Sequence, residues 1–355
     1  MPTPSATNAL AVPLSPANDV NLAMRALHSI MASVSGREGL AAQMLGDPTS
    51  RVKAEQFAPA WEGARGFRDH FLLTFARTTR DDWRRDCAQI VHTADAAMHP
   101  ERLAAALDSR LQLALDFAFR FLTPRHLMFL TECLTAAFEV SLTPTEFRKE
   151  LIRSAGKLPR LTPEFFQVLS TGRTQPPAEP MATALAYISE VQSTLSGQRG
   201  AAALKSDTLL ASVDEAEWEA HWSNARNYRN QFVLGLAIQV RNEWVQDCAN
   251  IDVAEMPQFI RGSAKAKALT TRLAIAVEFA FKKLSRRHVC LLADAIVLAL
   301  EPFFPLQKSS SELAAVTRDA RGGNDLLHDA VVVGASGMHR YDPMRVIRPD
   351  PSETK

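Results

Sequence analysis

Along most of the chain apolar residues return every three or four positions, the spacing of one face of an α-helix, while the alternation expected of strands is almost absent. The pattern predicts an all-α fold. It places a helix over 20–34 that stops at Ser35-Gly36, where glycine is free to take the left-handed conformation after a helix end, and a short helix near 39–45. Helical spacing then runs over 54–91, with a possible break in its middle, and over 100–122. Thr123-Pro124 opens the next helix, threonine capping the first turn and proline taking its first position. Thr143-Pro144-Thr145-Glu146 has the form of a capping box, with Glu146 placed to reach back to the Thr143 amide.

The pattern then repeats. Trp61, Ala64, Arg65, Arg68 and Phe71 return as Trp222, Ala225, Arg226, Arg229 and Phe232, and Arg80, Trp83, Asp86 and Cys87 return as Arg241, Trp244, Asp247 and Cys248, all 161 residues on. Thirteen of the thirty residues from 61 to 90 are identical at that offset, and helix stops and caps recur in the same order, so the match is structural and not merely compositional. Past residue 100 the offset becomes 162: Arg110, Leu111, Ala114, Phe117 and Leu122 return as Arg272, Leu273, Ala276, Phe279 and Leu284. Ser196-Gly197 repeats the first stop, Ser285-Arg286 the cap, and Ser309 to Glu312 offers a second capping box. About six helices per copy are expected.

These signals divide the chain into a disordered leader (1–18), a first helical repeat domain (19–170), a Pro-rich linker (171–180), a second repeat domain (181–322) and a partly disordered C-terminal extension (323–355). Two homologous bundles in tandem are expected to pack as an intramolecular pseudo-dimer with approximate two-fold symmetry, the arrangement of a fused homodimer.

Composition narrows the function classes. With 355 residues and 46% hydrophobic content, each copy is long enough to bury a core. A net charge of +1 provides no global field toward nucleic acid or anionic membranes, so nucleic acid is not expected as a partner. The best membrane-span candidate, 289–304, is short and carries Asp294 and Glu301. Cys87, Cys133, Cys248 and Cys290 form no CxxC pair and read as free thiols. The leader has no charged side chain and lacks the basic start and apolar core of a Sec signal. Its Ser/Pro-rich composition resembles the uncleaved export signals of bacterial type III secreted effectors, which implies either a cytoplasmic location or export by a non-Sec route.

Chemistry-bearing residues are few. Trp61, Phe71 and Phe75 share a helical stripe, as do Trp83, Cys87 and Ile90, and both read as core. Arg65, Arg68 and Arg80, with Arg226, Arg229 and Arg241, are the notable residues, because arginine near a core stripe requires a partner. Asp86 and Asp247 are the natural partners for bidentate bridges, an anion-binding patch is the alternative, and Arg80 is also spaced to stack over Trp83. Asp82 and Asp86 share a face and resemble the aspartate-rich Mg²⁺ motifs of all-α prenyl-transferring enzymes. No second acidic motif completes such a site, so the turn reads first as a solvated face and no metal or cofactor is expected. His126 and His288 sit just inside helix starts, beside Arg125 and Arg287, and read as neutral or capping histidines.

Duplicated surfaces without a catalytic motif point to a non-enzymatic protein-interaction or scaffold protein with protein partners, and the leader adds a secreted effector as its specific form. An all-α enzyme that binds a phosphorylated or isoprenoid substrate through the repeated arginines and the acidic turn is the alternative.

Overall fold

The computed structural model describes residues 16–35, 52–93, 98–139, 141–173, 178–196, 204 and 206–319. Among them all regular structure is helical, as the period of three and four requires. The first half holds α1 (Pro16–Ser35), α2 (Ala54–Gly63), α3 (Arg68–Thr93), α4 (His99–Phe121), α5 (Pro124–Phe138), α6 (Pro144–Ala155) and α7 (Pro163–Thr171). The second holds α8 (Glu179–Ser196), α9 (Ser206–Ala211), α10 (Glu215–Asn224), α11 (Arg229–Val253), α12 (Gln258–Lys283), α13 (Arg286–Leu300) and α14 (Leu306–Asp319). The break foreseen within 54–91 is a 3-10 turn at Arg65–Phe67, matched by another at Arg226–Tyr228.

Local signals act as the sequence suggests in several places. Thr143 and Glu146 form the reciprocal capping box at the start of α6. Gly172, with φ 70°, ends α7 in the left-handed region, which favours glycine. Other expectations shift. The first helix begins at Pro16, inside the expected leader, and α8 begins at Glu179, taking Pro180 into its first turn where a missing amide hydrogen costs nothing. The second capping box does not form: α14 starts at Leu306, with the amides of Lys308 and Ser309 bonded to the Pro305 carbonyl, so Ser309 to Glu312 lies within the helix. The foreseen short helix at 39–45 falls outside the described residues.

One continuous apolar core runs through both halves. In the first, Trp61 meets Phe71 edge-on and Phe71 stacks on Phe75, while Phe117 packs against Phe57, Phe71 and Phe75. In the second, Trp222 and Trp218 stack together and pack on Phe232 and Phe279. Each half also buries a bidentate bridge. Arg110 on α4 donates to Asp86 on α3 at 2.6 and 2.9 Å, and Arg272 on α12 donates to Asp247 on α11 at 2.5 and 3.0 Å. Arg272 also donates to the Ser196 carbonyl at the end of α8, so one guanidinium ties three helices. These pairings fix the axial register of the central hairpin in each half, because a guanidinium fork meets a carboxylate in only one geometry.

The halves meet through α3 and α5 on one side and α11 and α13 on the other. Arg80 donates to both oxygens of Glu301 at 3.0 and 2.8 Å, and Arg241 donates to Glu139 at 2.8 Å. In the repeat register Arg241 is the counterpart of Arg80 and Glu301 of Glu139. Each half therefore sends the same arginine to the same glutamate of the other, the reciprocity of an isologous contact. The two ends are not equally closed. Arg77 lies 3.4 Å from Glu301 and adds to the sealed pair, whereas Arg241 and Glu139 border an open cleft of about 380 Å³ with Asn242 and Phe303. Although burial raises the Glu301 carboxyl, Arg77 and Arg80 outweigh it and hold it below the usual carboxylate range.

Arg272 is 2% exposed, so truncating it strands Asp247 in the core. Arg272→Ala is expected to lower unfolding free energy by about 3–5 kcal/mol, against under about 1 kcal/mol for Arg153→Ala in an exposed pair with Glu150, compared by urea denaturation.

Candidate functional site

Seven arginines and lysines gather at one end of the interface between the halves. The cause is helix polarity: the first turns of α3, α5, α11 and α13 all open onto a cleft of about 690 Å³. Arg68 and Asp69 begin α3, Arg125 and His126 lie in the first turn of α5, Arg229 and Asn230 begin α11, and Arg287 and His288 lie in the first turn of α13. Four positive macrodipole ends thus face one space. The N-termini of α11 and α13 have no side-chain cap. Ser285, foreseen as the cap of α13, bonds its hydroxyl to His288 Nδ1 at 2.8 Å instead.

The lining cations are Arg65, Arg68, Arg125, Arg226, Arg229, Lys283 and Arg287, against the carboxylates of Asp69 and Glu219. Six of the seven form three pairs in the repeat register: Arg65 with Arg226, Arg68 with Arg229, and Arg125 with Arg287. The middle pair is fixed identically. Arg68 Nε donates to the Trp61 carbonyl and Arg229 Nε to the Trp222 carbonyl, both at 2.8 Å, and each guanidinium lies over its tryptophan ring at 4.9 and 5.0 Å. Arg68 also reaches Glu62, and Lys283 reaches Glu215, both highly exposed carboxylates whose neutralising effect is screened by water. Arg65 and Arg226 are exposed at the mouth.

Asp69 and Asn230, counterparts of each other, meet at the centre with Asn230 Nδ2 donating at 2.6 Å. Arg287 bonds the other Asp69 oxygen. Arg125 crosses to the Arg226 carbonyl at 3.3 Å, and burial together with Arg287 and Arg226 lowers its pKa despite the pull of Asp69, a sign of crowded positive charge. His126 and His288 stand edge-on to Trp61 and Trp222. Burial, aided by Arg68, depresses His126 to about 4; burial, aided by Arg287 and Arg229, depresses His288 to about 3. Both rings are neutral at physiological pH.

The sequence-derived candidates separate into three groups. Arg65, Arg68, Arg226 and Arg229 come together in the cleft. Arg80 and Arg241 do not join them and are buried in the reciprocal pairs with Glu301 and Glu139. Asp86 and Asp247 bond neither Arg65, Arg68 nor Arg80 nor their counterparts: their partners are Arg110 and Arg272, which approach from the neighbouring helix of the same half. Arg80 does not stack over Trp83 either; the arginines over indoles are Arg68 and Arg229. The candidate metal pair Asp82 and Asp86 is buried, not solvated, and shares Arg110, at 3.7 and 2.6 Å. Burial raises Asp82 to about 6 against the pull of Arg110 and Arg85. No cluster of three or more metal-ligating side chains occurs among the described residues, and no described helix is long and apolar enough to cross a membrane.

Residues that sequence reasoning missed are Asp69, Asn230 and Lys283, and it noted Arg125 and Arg287 only as neighbours of histidines. The available signal was the repeat itself, since Arg125 and Arg287 fall in the same register. Comparison with protein-family models, curated proteins and solved structures finds no match.

The depressed histidines set a pH dependence. An unfolded histidine binds a proton below about pH 6.5 while buried His288 does not until about 3, so the contribution of His288 to stability is level above pH 6.5 and turns unfavourable as pH drops below it. His288→Gln is expected to recover about 1–2 kcal/mol of the loss between pH 7 and pH 5, read as the change in urea midpoint at the two pH values.

Proposed function

We propose that this chain is a non-enzymatic binding protein, built from two homologous helical copies fused into an intramolecular pseudo-dimer, and that it engages an anionic group of its partner in the cleft between the copies. The single observation that carries this reading is the convergence of four helix N-termini and seven cationic side chains on one 690 Å³ cleft with only two carboxylates in its lining. Backbone amides at helix starts and guanidinium forks both recognise oxyanions, and here they face the same volume. The duplication is supported by the recurring contacts: the Arg-Asp bridges, the reciprocal Arg-Glu pairs and the arginine-capped tryptophans each occur twice in register.

The enzyme alternative required the repeated arginines and the acidic turn in one cavity. Asp82 lies fourteen residues along α3 from Arg68, roughly 21 Å at helical rise, and is bound to Arg85 and Arg110. An interaction role fits this separation better. The proposal of secretion rests on the leader alone, most of which lies outside the described residues.

Charge reversal at the cleft mouth tests the reading. Arg65→Glu with Arg226→Glu is expected to abolish binding of acidic or phosphorylated peptides in fluorescence anisotropy, with an unchanged circular dichroism spectrum, while the wild-type chain binds them without altering them. Peptide binding that survives the double reversal would sink the site. Deleting residues 2–15, which precede α1, is expected to leave the melting temperature unchanged and stop export from a type III-competent cell; continued export would remove the effector reading.

A further inference from the structure

We infer that the ligand of the cleft is an oligophosphate, a molecule whose linked phosphate groups lie across the junction of the two halves. This rests on the reading of the cleft as an anion site and concerns what kind of anion it takes. The lining arginines form three register pairs, each with one member from either half, and the same lining holds the Asp69-Asn230 contact that joins the halves. Asp69 is 4% exposed and already engages Arg287 and Asn230 at that contact, so a single small anion gains least there and is drawn to the arginines of one half or the other. A chain of phosphates spans both sides. Each unit then finds a guanidinium fork, and linking the units makes the second engagement intramolecular, which multiplies affinity without new contacts.

The lining argues against other anions. Apart from Phe129 and the Arg229-covered ring of Trp222 it is polar, so there is no wall for an isoprenoid tail or a large aromatic base. The volume suits a small molecule, within the usual range of roughly 300–1,000 Å³. Away from the cleft, several arginines of the first half are paired with carboxylates, Arg120 with Asp116, Arg148 with Glu132 and Arg153 with Glu150, which lowers the free positive charge offered to a nucleic acid there.

The divergence of the copies points the same way. The register partner of Asp69 is Asn230, so the junction holds one carboxylate where two aspartates would hold two. The second copy thus carries no negative charge at this position, where one would oppose a bound polyanion, and Asn230 donates a hydrogen bond to Asp69 instead.

The test uses the full chain at low ionic strength, with inorganic tripolyphosphate, orthophosphate and a phosphorylated acidic peptide as probes. Binding is followed by calorimetry and by the fluorescence of the tryptophans under Arg68 and Arg229. The expected result is one tripolyphosphate per chain, bound at least tenfold more tightly than either other probe, with affinity falling steeply as salt is added. Arg65→Ala with Arg226→Ala, both exposed and outside the core, should weaken it at least tenfold. Asp69→Asn should strengthen it severalfold, since the axis loses its charge and Arg287 is released from an ion pair. If orthophosphate binds as tightly, if two ligands bind per chain, or if the peptide matches tripolyphosphate with the same arginine dependence, the oligophosphate inference fails while the anion cleft stands. If no probe binds, or binding ignores the double alanine variant, both fail.

Discussion

A guanidinium removed from water must be met by a carboxylate, and most of this fold's geometry follows from where those meetings occur. Within each half the meeting lies between adjacent helices, Arg110 with Asp86 and Arg272 with Asp247, and it sets the register of the central hairpin. Between the halves it is Arg80 with Glu301 and Arg241 with Glu139, and it sets how the copies face each other. Once both are satisfied, α3, α5, α11 and α13 present their starts at a common end. The cleft is the consequence. Its lining carries seven cationic side chains against two carboxylates, and that imbalance separates it from the structural bridges.

The two copies carry the same scaffold but spend it differently. The Arg80 end is closed and reinforced by Arg77, whereas the Arg241 end stays open beside Phe303, and Ile238 stands where the first copy has Arg77. Asp81 and Asn242 both receive the arginine beside them, at 2.9 and 3.0 Å, so the exchange of a carboxylate for an amide there preserves the contact while removing a charge. Asp69 and Asn230 repeat that exchange at the centre of the cleft. Similarly, His70 on α3 bonds Asp294 of α13 at 2.6 Å, whereas Gln231 holds the corresponding place in the second copy. These particular differences lie where the halves meet, so corresponding positions there face unlike surroundings.

Much of the local structure was legible in the chain. Helical class, a break somewhere within 54–91, the Thr143-Glu146 capping box and the aromatic stripes follow from periodicity and cap chemistry, which act over three or four residues and need no knowledge of the fold. The repeated arginines were also legible as residues requiring partners. Their partners were not. Spacing along one helix suggested Asp86 for Arg80, yet the carboxylate that Arg80 meets, Glu301, is more than two hundred positions away, and Asp86 is taken by Arg110 from the next helix. Pairing is decided by which helices pack, and the pattern of apolar residues states only that a face is buried, not against what.

By itself, then, the sequence determined the helical class, the caps at Thr123 and Thr143, the doubled register and the presence of arginines too close to the core to remain unpartnered. Only the tertiary structure decided which of those arginines are consumed in bridges and which face open space, and that four helix starts share one end of the molecule. The physical reason is range: hydrogen-bond and hydrophobic periodicities are encoded over a turn, whereas the field in the cleft is the sum of charges and helix dipoles brought from four segments distant in the chain.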